Sequence, residues 1–275
     1  MYASDFEYDG HYLSDFGFVV CDFDGASSYD VISAGSKITF NKVSRNRGKK
    51  YGLNGTSYDE CITATFDICK DPCFDEDGTI TSDEYRDLMR WLNRSRFLKF
   101  RMLNELDGSE DEFDRETCYF YASFNIEKIK MYDKLYGLRL TLETNAPFGF
   151  ALPLSYTLSF DGSDEEGTLF DMSDEIGYTY PNMTINVMGD GDLTIYNDMT
   201  DCTFYISDCT DGEVITVNGE TMVIETTSQD HDLGECFNFE FLSIGNTVDN
   251  RENHITASIP CEIEITYSPI IKETP

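Results

Sequence analysis

The clearest pattern in this chain is an alternation of apolar and polar side chains through residues 135–150, LYGLRLTLETNAPFGF. Leu138, Leu140, Leu142 and Thr144 alternate with Arg139, Thr141 and Glu143, the period of two expected of a strand with one buried face. It stops at Asn145-Ala146-Pro147, where proline cannot donate to a ladder and the chain must turn. Shorter runs at 15–21, 37–43, 58–70, 96–103 and 118–126 predict further strands before this point, and a turn is expected over 130–134. One segment carries the other period. Across 83–94, Tyr85, Leu88, Met89 and Leu92 fall at i, i+3, i+4 and i+7, which predicts a helix, with Trp91 beside its apolar face as the anchor on the sheet. Asp83 and Glu84 open it and Arg90 and Arg94 close it, as the macrodipole favours. Residues 1–150 thus read as an α+β domain with one helix.

Beyond residue 150 every run is short and alternating: 154–160, 183–187, 193–196, 203–206, 214–217, 222–225, 237–242, 255–259 and 262–267. Turns at Asp211-Gly212, Asn218-Gly219 and Asn246 separate them. About nine strands in about 115 residues predict a β-sandwich over 151–275, and the whole chain is expected to be mainly β. The acidic stretch 161–177, DGSDEEGTLFDMSDEIG, is expected to be an exposed loop.

The charge balance changes at the same boundary. Residues 1–150 hold 18 basic and 27 acidic side chains, whereas 151–275 hold 2 and 25, within a total net charge of −32. Such a balance argues against tight binding of nucleic acid or anionic membrane, because phosphate contacts need clustered Lys and Arg. It suits a basic partner, or a surface that DNA passes without adsorbing. Arg45, Arg47, Lys49 and Lys50, in SRNRGKKYG, form the one basic cluster and read as a loop that docks on an acidic neighbour. With 40% hydrophobic residues, 17 Tyr and 20 Phe, a folded core is expected in spite of the charge. The amino terminus lacks a signal-peptide pattern, and no run approaches the roughly 20 apolar residues of a membrane span. Nine cysteines without a secretion signal favour reduced thiols made in a cytoplasm.

Candidate chemistry is sparse. In CFDEDGTITSDE, residues 73–84, Asp75, Asp77, Gly78, Ile80 and Glu84 fall at positions 3, 5, 6, 8 and 12 of a calcium-binding loop. Position 1 is Cys73, and a strand precedes the loop where a helix should. Thr81 and Glu84 instead make an S/T-x-x-E capping box, which is the preferred reading. Cys69 and Cys73, four apart with no second pair and no nearby His, do not make a zinc framework. His11, His231 and His254 lie far apart and in no nucleophile or metal motif. GDGD at 189–192 occurs once and reads as a turn between strands. Carboxylates are too abundant for one acid–base pair to stand out. No catalytic residue, no cofactor and no metal ligand is expected, and the chain does not read as an enzyme.

The order of these pieces resembles the distal tail proteins of long-tailed phages of Gram-positive hosts. YDGHYLSDFGFVV looks like that family's opening strand pair, EYRDLMRWLNR like its single helix ending in Trp-Leu, and YGLRLTLETNAPFGF like its domain-closing strand. YPNMTINVMGDGDLTIYN, GEVITVNGE, FNFEF and CEIEITYSPI are similar to its C-terminal sandwich. The resemblance implies a ring-forming belt domain over 1–150 and a galectin-like β-sandwich over 151–275. It further implies a structural virion protein, assembled in the host cytoplasm, that forms a hexameric ring at the distal end of the tail. Such a ring joins the tail tube protein to the tail-tip or baseplate protein, with a receptor-binding protein as a further partner. DNA would leave through its lumen without specific binding, and no membrane insertion is implied. The alternative is a carbohydrate-binding module for host adhesion. That role needs stacking aromatics with polar clamps, and the second half offers Tyr178, Tyr180, Tyr196, Tyr205 and one arginine, Arg251, but no Trp.

Overall fold

The computed structural model describes residues 3–23, 38–44, 51–58, 61–73, 77–104, 118–163 and 166–272. The chain divides into two compact units, one of residues 1–151 with 271–275 and the other of residues 152–270. The basic cluster at 45–50, Asp75 and the acidic stretch 107–116 lie outside the described residues.

The first unit contains β1 (Ala3–Tyr8), β2 (His11–Tyr12), β3 (Phe18–Cys21), β4 (Ile38–Ser44), β5 (Tyr51–Tyr58), β6 (Thr63–Lys70), α1 (Ser82–Leu92), β7 (Leu98–Asn104), β8 (Phe120–Met131), β9 (Lys134–Thr144) and β10 (Gly149–Phe150). Seven strands make an antiparallel sheet in the order β2-β1-β7-β8-β9-β6-β3. The alternating strand β9 lies between β8 and β6, and its Leu138, Leu140 and Leu142 are fully buried. On its other face Arg139 sits opposite Asp67 and donates two hydrogen bonds to the carboxylate at 2.8 and 2.9 Å. Phe6, Phe66, Phe100 and Phe124 meet in the core with every pair of ring centroids 5.6 to 6.4 Å apart.

The helix forms where its period and cap place it. Thr81 Oγ1 accepts from Glu84 N at 3.3 Å and the Glu84 carboxylate accepts from Thr81 N at 2.7 Å, which satisfies two otherwise orphaned donors. Leu88, Trp91 and Leu92 are buried against the sheet. Trp91 stacks on Phe16 at 4.4 Å and on Phe6 at 5.7 Å, and its Nε1 donates to Tyr8 O at 2.9 Å. Lys70 holds the first turn to β6 through Glu84 at 2.9 Å.

Three local readings change. Leu13–Phe16 is a 3-10 turn closed by Gly17 at φ 76°, so the strand expected at 15–21 begins only at Phe18. The run 58–70 belongs to two strands, because Tyr58 pairs with Ile38 whereas Thr63 pairs with Glu143. Alternation cannot see which partner each half finds. The turn expected over 130–134 tightens to Tyr132-Asp133, with Tyr132 at φ 55°.

The second unit contains β11 (Leu154–Asp161), β12 (Glu166–Phe170), β13 (Gly177–Thr179), β14 (Asn182–Val187), β15 (Gly191–Asn197), β16 (Cys202–Cys209), β17 (Val214–Asn218), β18 (Val223–Thr226), α2 (Leu233–Cys236), β19 (Ile244–Asn246), β20 (Glu252–Ala257) and β21 (Pro260–Tyr267), before the short strand Ile270–Ile271. A five-stranded sheet, β11-β21-β14-β17-β18, and a four-stranded sheet, β12-β20-β15-β16, share one apolar core, with β13 and β19 paired separately. Ile185, Ile215, Ile263 and Ile265 enter that core from one sheet and Leu193, Ile195, Phe204 and Ile255 from the other, all fully buried. The mainly β architecture, with a helix-bearing first half and a β second half, is as the patterning predicts.

Here too the structure corrects the sequence reading. The expected exposed loop at 161–177 contains β12, with Leu169 fully buried, and then the buried Asp171 and Ser173. The inward face of β12 is carried by Gly167 and Leu169, so one apolar side chain was the whole signal; the Asp171 carboxylate is buried because Asn246 Nδ2 donates to it at 2.7 Å. The aromatic run 237–242 is not a strand. It leaves the one-turn helix α2, bridges Ile206 at Phe237, and breaks at Phe239, whose φ of 59° turns its ring outward to 67% exposure. The chain therefore has a second, short α-helix beside the one expected.

Candidate assembly surfaces

In the first unit β4 and β5 pair with each other and, among the described residues, with no other strand. The hairpin carries Ile38, Phe40, Val43 and Leu53 at 46, 52, 49 and 64% exposure. A lone two-stranded hairpin is marginal in water, and large apolar side chains grouped on one mark a surface that another molecule covers. Tyr58, at its end, packs edge-on to Phe148 with ring centroids 6.3 Å apart. Of the two strands β4 is legible in the sequence; β5, whose Gly- and polar-rich Tyr51–Tyr58 shows no apolar alternation, is not, and neither is their isolation.

A second exposed apolar pair sits at the tip of the β8–β9 hairpin, where Met131 and Tyr132 are 56 and 96% exposed beside Lys130. Lys128 lies 3.8 Å above the Tyr85 ring, and Lys134 reaches Asp77 at 3.7 Å. The tip therefore combines apolar surface with positive charge in an acidic chain.

The residues singled out for chemistry are dispersed. In the 73–84 segment Asp77 pairs with Lys134 and accepts from Thr79 Oγ1 at 2.5 Å, while Glu84 is occupied by Lys70 and Thr81. Burial raises the Glu84 pKa, but the bonds from Lys70 and Thr81 outweigh it and hold the carboxyl below the usual range. Cys69 is half-buried in β6 and Cys73 is exposed. His11 lies near Phe16, and His254 near Thr168 at 3.4 Å and Glu166 at 3.9 Å. The GDGD segment carries the chain from β14 in one sheet to β15 in the other, with Asp190 accepting from Asp211 N and Asp192 from Asp208 N. Tyr196 and Tyr205 are diagonal neighbours on the outer face of the four-stranded sheet, their hydroxyls bound to Asp201 and Asp192 at 3.1 Å each. Tyr178 and Tyr180 belong instead to β13 and the turn after it, and Arg251 faces Asp174 at 3.9 Å.

One convergence had no linear signal. Ligand atoms of Cys209, Glu213 and His231 all lie within 4.8 Å of one another. His231 Nδ1 is 2.8 Å from Glu213 Oε1, and His231 Nε2 is 2.8 Å from Ser207 O. Burial opposes ionisation of Glu213, yet bonds from Thr226, His231 and Thr210 N hold its carboxyl below the usual range. Burial, reinforced by the nearby Glu213 charge, pushes the Cys209 thiol up to about 12.

Residues 1–146 match the family described as the phage tail protein N-terminal domain, and residues 148–267 match the phage tail C-terminal domain. Among solved structures, the chain is similar to the SPP1 Dit (gp 19.1) protein, described as a paradigm of the hub adsorption apparatus in phages that infect Gram-positive hosts. The TM-score is 0.64 over 96% of this chain and 98% of that one, at 12% sequence identity. The two chains share a fold along their whole lengths. No curated protein matches the chain by sequence.

Proposed function

Since this chain belongs to the phage tail protein family over both of its halves, we propose that it is a distal tail protein whose copies close into a hexameric ring. The first unit is the ring-forming belt and the second a galectin-like sandwich displayed outside it. The ring sits at the distal end of the tail, joins the tail tube protein to the tail-tip or baseplate protein, and surrounds the channel through which DNA leaves. It assembles in the host cytoplasm, and its role is structural rather than enzymatic.

The β4–β5 hairpin carries this reading. Four exposed apolar side chains on a pair of strands that, among the described residues, joins no larger sheet need a neighbour, and a repeated neighbour in a closed ring supplies one to every copy. Charge supports it. Eighteen of the 20 basic residues lie in the first 150, where contacts against an acidic neighbouring copy would use them. A ring of chains at −32 each is strongly negative, and an acidic lumen would keep passing DNA from adsorbing.

Light scattering on the full chain, alone and mixed with the tail tube protein, tests the ring. The expected particle is about 190 kDa, six times the 31.4 kDa chain. A double variant, Phe40→Ser with Leu53→Ser, should stay monomeric while melting as the wild type does. Assembly undiminished in that variant would remove the hairpin from the interface. A chain that stays monomeric with its tail partners and binds cell-wall glycans would instead favour the carbohydrate-binding reading, for which the Tyr196 and Tyr205 pair is the available platform.

A further inference from the structure

We propose that Cys209, Glu213 and His231 are the protein ligands of a zinc ion in the second unit, a site independent of the ring. Cys209 and Glu213 flank the turn from β16 to β17, and His231 comes from the separate connection between β18 and α2. Their side chains are almost wholly removed from solvent, with Glu213 at 0%, His231 at 5% and Cys209 at 2% exposure. Carboxylates are common on this surface, but a thiol, an imidazole and a carboxylate meeting inside the protein are a different matter.

The donor set selects the metal. Thiolate and imidazole are poor ligands for calcium or magnesium and good ones for zinc, and three protein ligands leave the fourth tetrahedral position to a water. The outer shell already has the form that orients zinc ligands. His231 Nε2 donates to Ser207 O, which leaves Nδ1 as the nitrogen facing Glu213. Glu213 Oε2 accepts from Thr210 N at 3.1 Å, and the Thr226 hydroxyl donates to Oε1. Without an ion, Glu213 and His231 satisfy one another, and Cys209 Sγ donates over a long 3.8 Å to Ile206 O and accepts from the backbone of Leu193. A metal unites all three.

The test uses the full chain, stripped with a chelator and titrated with cobalt and then zinc. One cobalt per chain should bind with a sulfur-to-metal charge-transfer band, and zinc should abolish that band by displacement. Cys209→Ser should lose the band, whereas Cys73→Ser should keep it. His231→Gln should weaken zinc roughly tenfold or more, with circular dichroism confirming that the sandwich is folded, so that a misfolded Cys209→Ser cannot decide the matter alone. Failure of the wild-type chain to take up a stoichiometric ion overturns the site. So does a charge-transfer band that survives Cys209→Ser, or unchanged zinc affinity in a folded His231→Gln.

Discussion

Truncating Leu88 to alanine probes whether α1 and the seven-stranded sheet share one core. Leu88 is fully buried on the helix face that carries Trp91 and Leu92. The substitution removes three carbons, worth about 2.4 kcal/mol at about 0.8 kcal/mol per buried methylene. Incomplete collapse of the cavity brings the cost to about 3 kcal/mol. With a urea slope of about 2 kcal/mol/M for a unit of this size, the unfolding midpoint should fall by about 1.5 M. Trp91, the only tryptophan in the chain, sits against the same core and reports it by fluorescence. Hydrogen exchange in β14 and β21 should be unchanged, because those strands belong to the other core. A midpoint shift under about 0.5 M would refute the packing argument. Equal loss of protection in β14 and β21 would refute the separation of the cores.

Two further perturbations separate local contributions. Glu84 has a folded-state pKa below its ordinary 4.5, so the stability it contributes is present above that value and is lost as pH falls through the lowered one. The Trp91-detected melting temperature of the wild type should therefore fall more steeply than that of Glu84→Gln on acidification, roughly between pH 5 and pH 3, and parallel curves would count against the Lys70 and Thr81 contacts. Gly219→Ala would place a Cβ 2.1 Å from Tyr180 O and 2.5 Å from Pro181 O, both backbone atoms. The turn must open, and the second unit should lose about 2 kcal/mol or more in calorimetry while the Trp91 signal is unmoved; a neutral result would contradict the close approach.

Phage tail proteins work by assembly, and the surfaces that would do that work here differ in how far the chain discloses them. The β4 segment is visible as a β-branched and aromatic run, β5 is not, and the acidic bias of the second half is plain arithmetic. That the hairpin, among the described residues, pairs with no strand of the sheet, and that Phe40 and Leu53 are exposed, follows from strand order, which no local pattern encodes.

The same division runs through the rest of the molecule. The strand around Leu138–Leu142, the helix with its Thr81–Glu84 cap, and the role of Trp91 are local matters, set by side-chain period and by hydrogen bonds spanning three residues. They were readable because the groups that decide them are neighbours in the chain. The strand Glu166–Phe170 was hidden because its inward face holds a glycine and one leucine, and Asp171 is buried by a partner 75 residues away. Phe237, Phe239 and Phe241 alternate like a strand, but the positive φ at Phe239 sends the ring to solvent while Phe237 packs on Phe204. Cys209 and His231 meet across 22 residues because β16, β17 and α2 bring their ends together. Period and capping report what each segment prefers; pairing order and chain path, set by how all the apolar faces are buried at once, decide which distant groups come into contact.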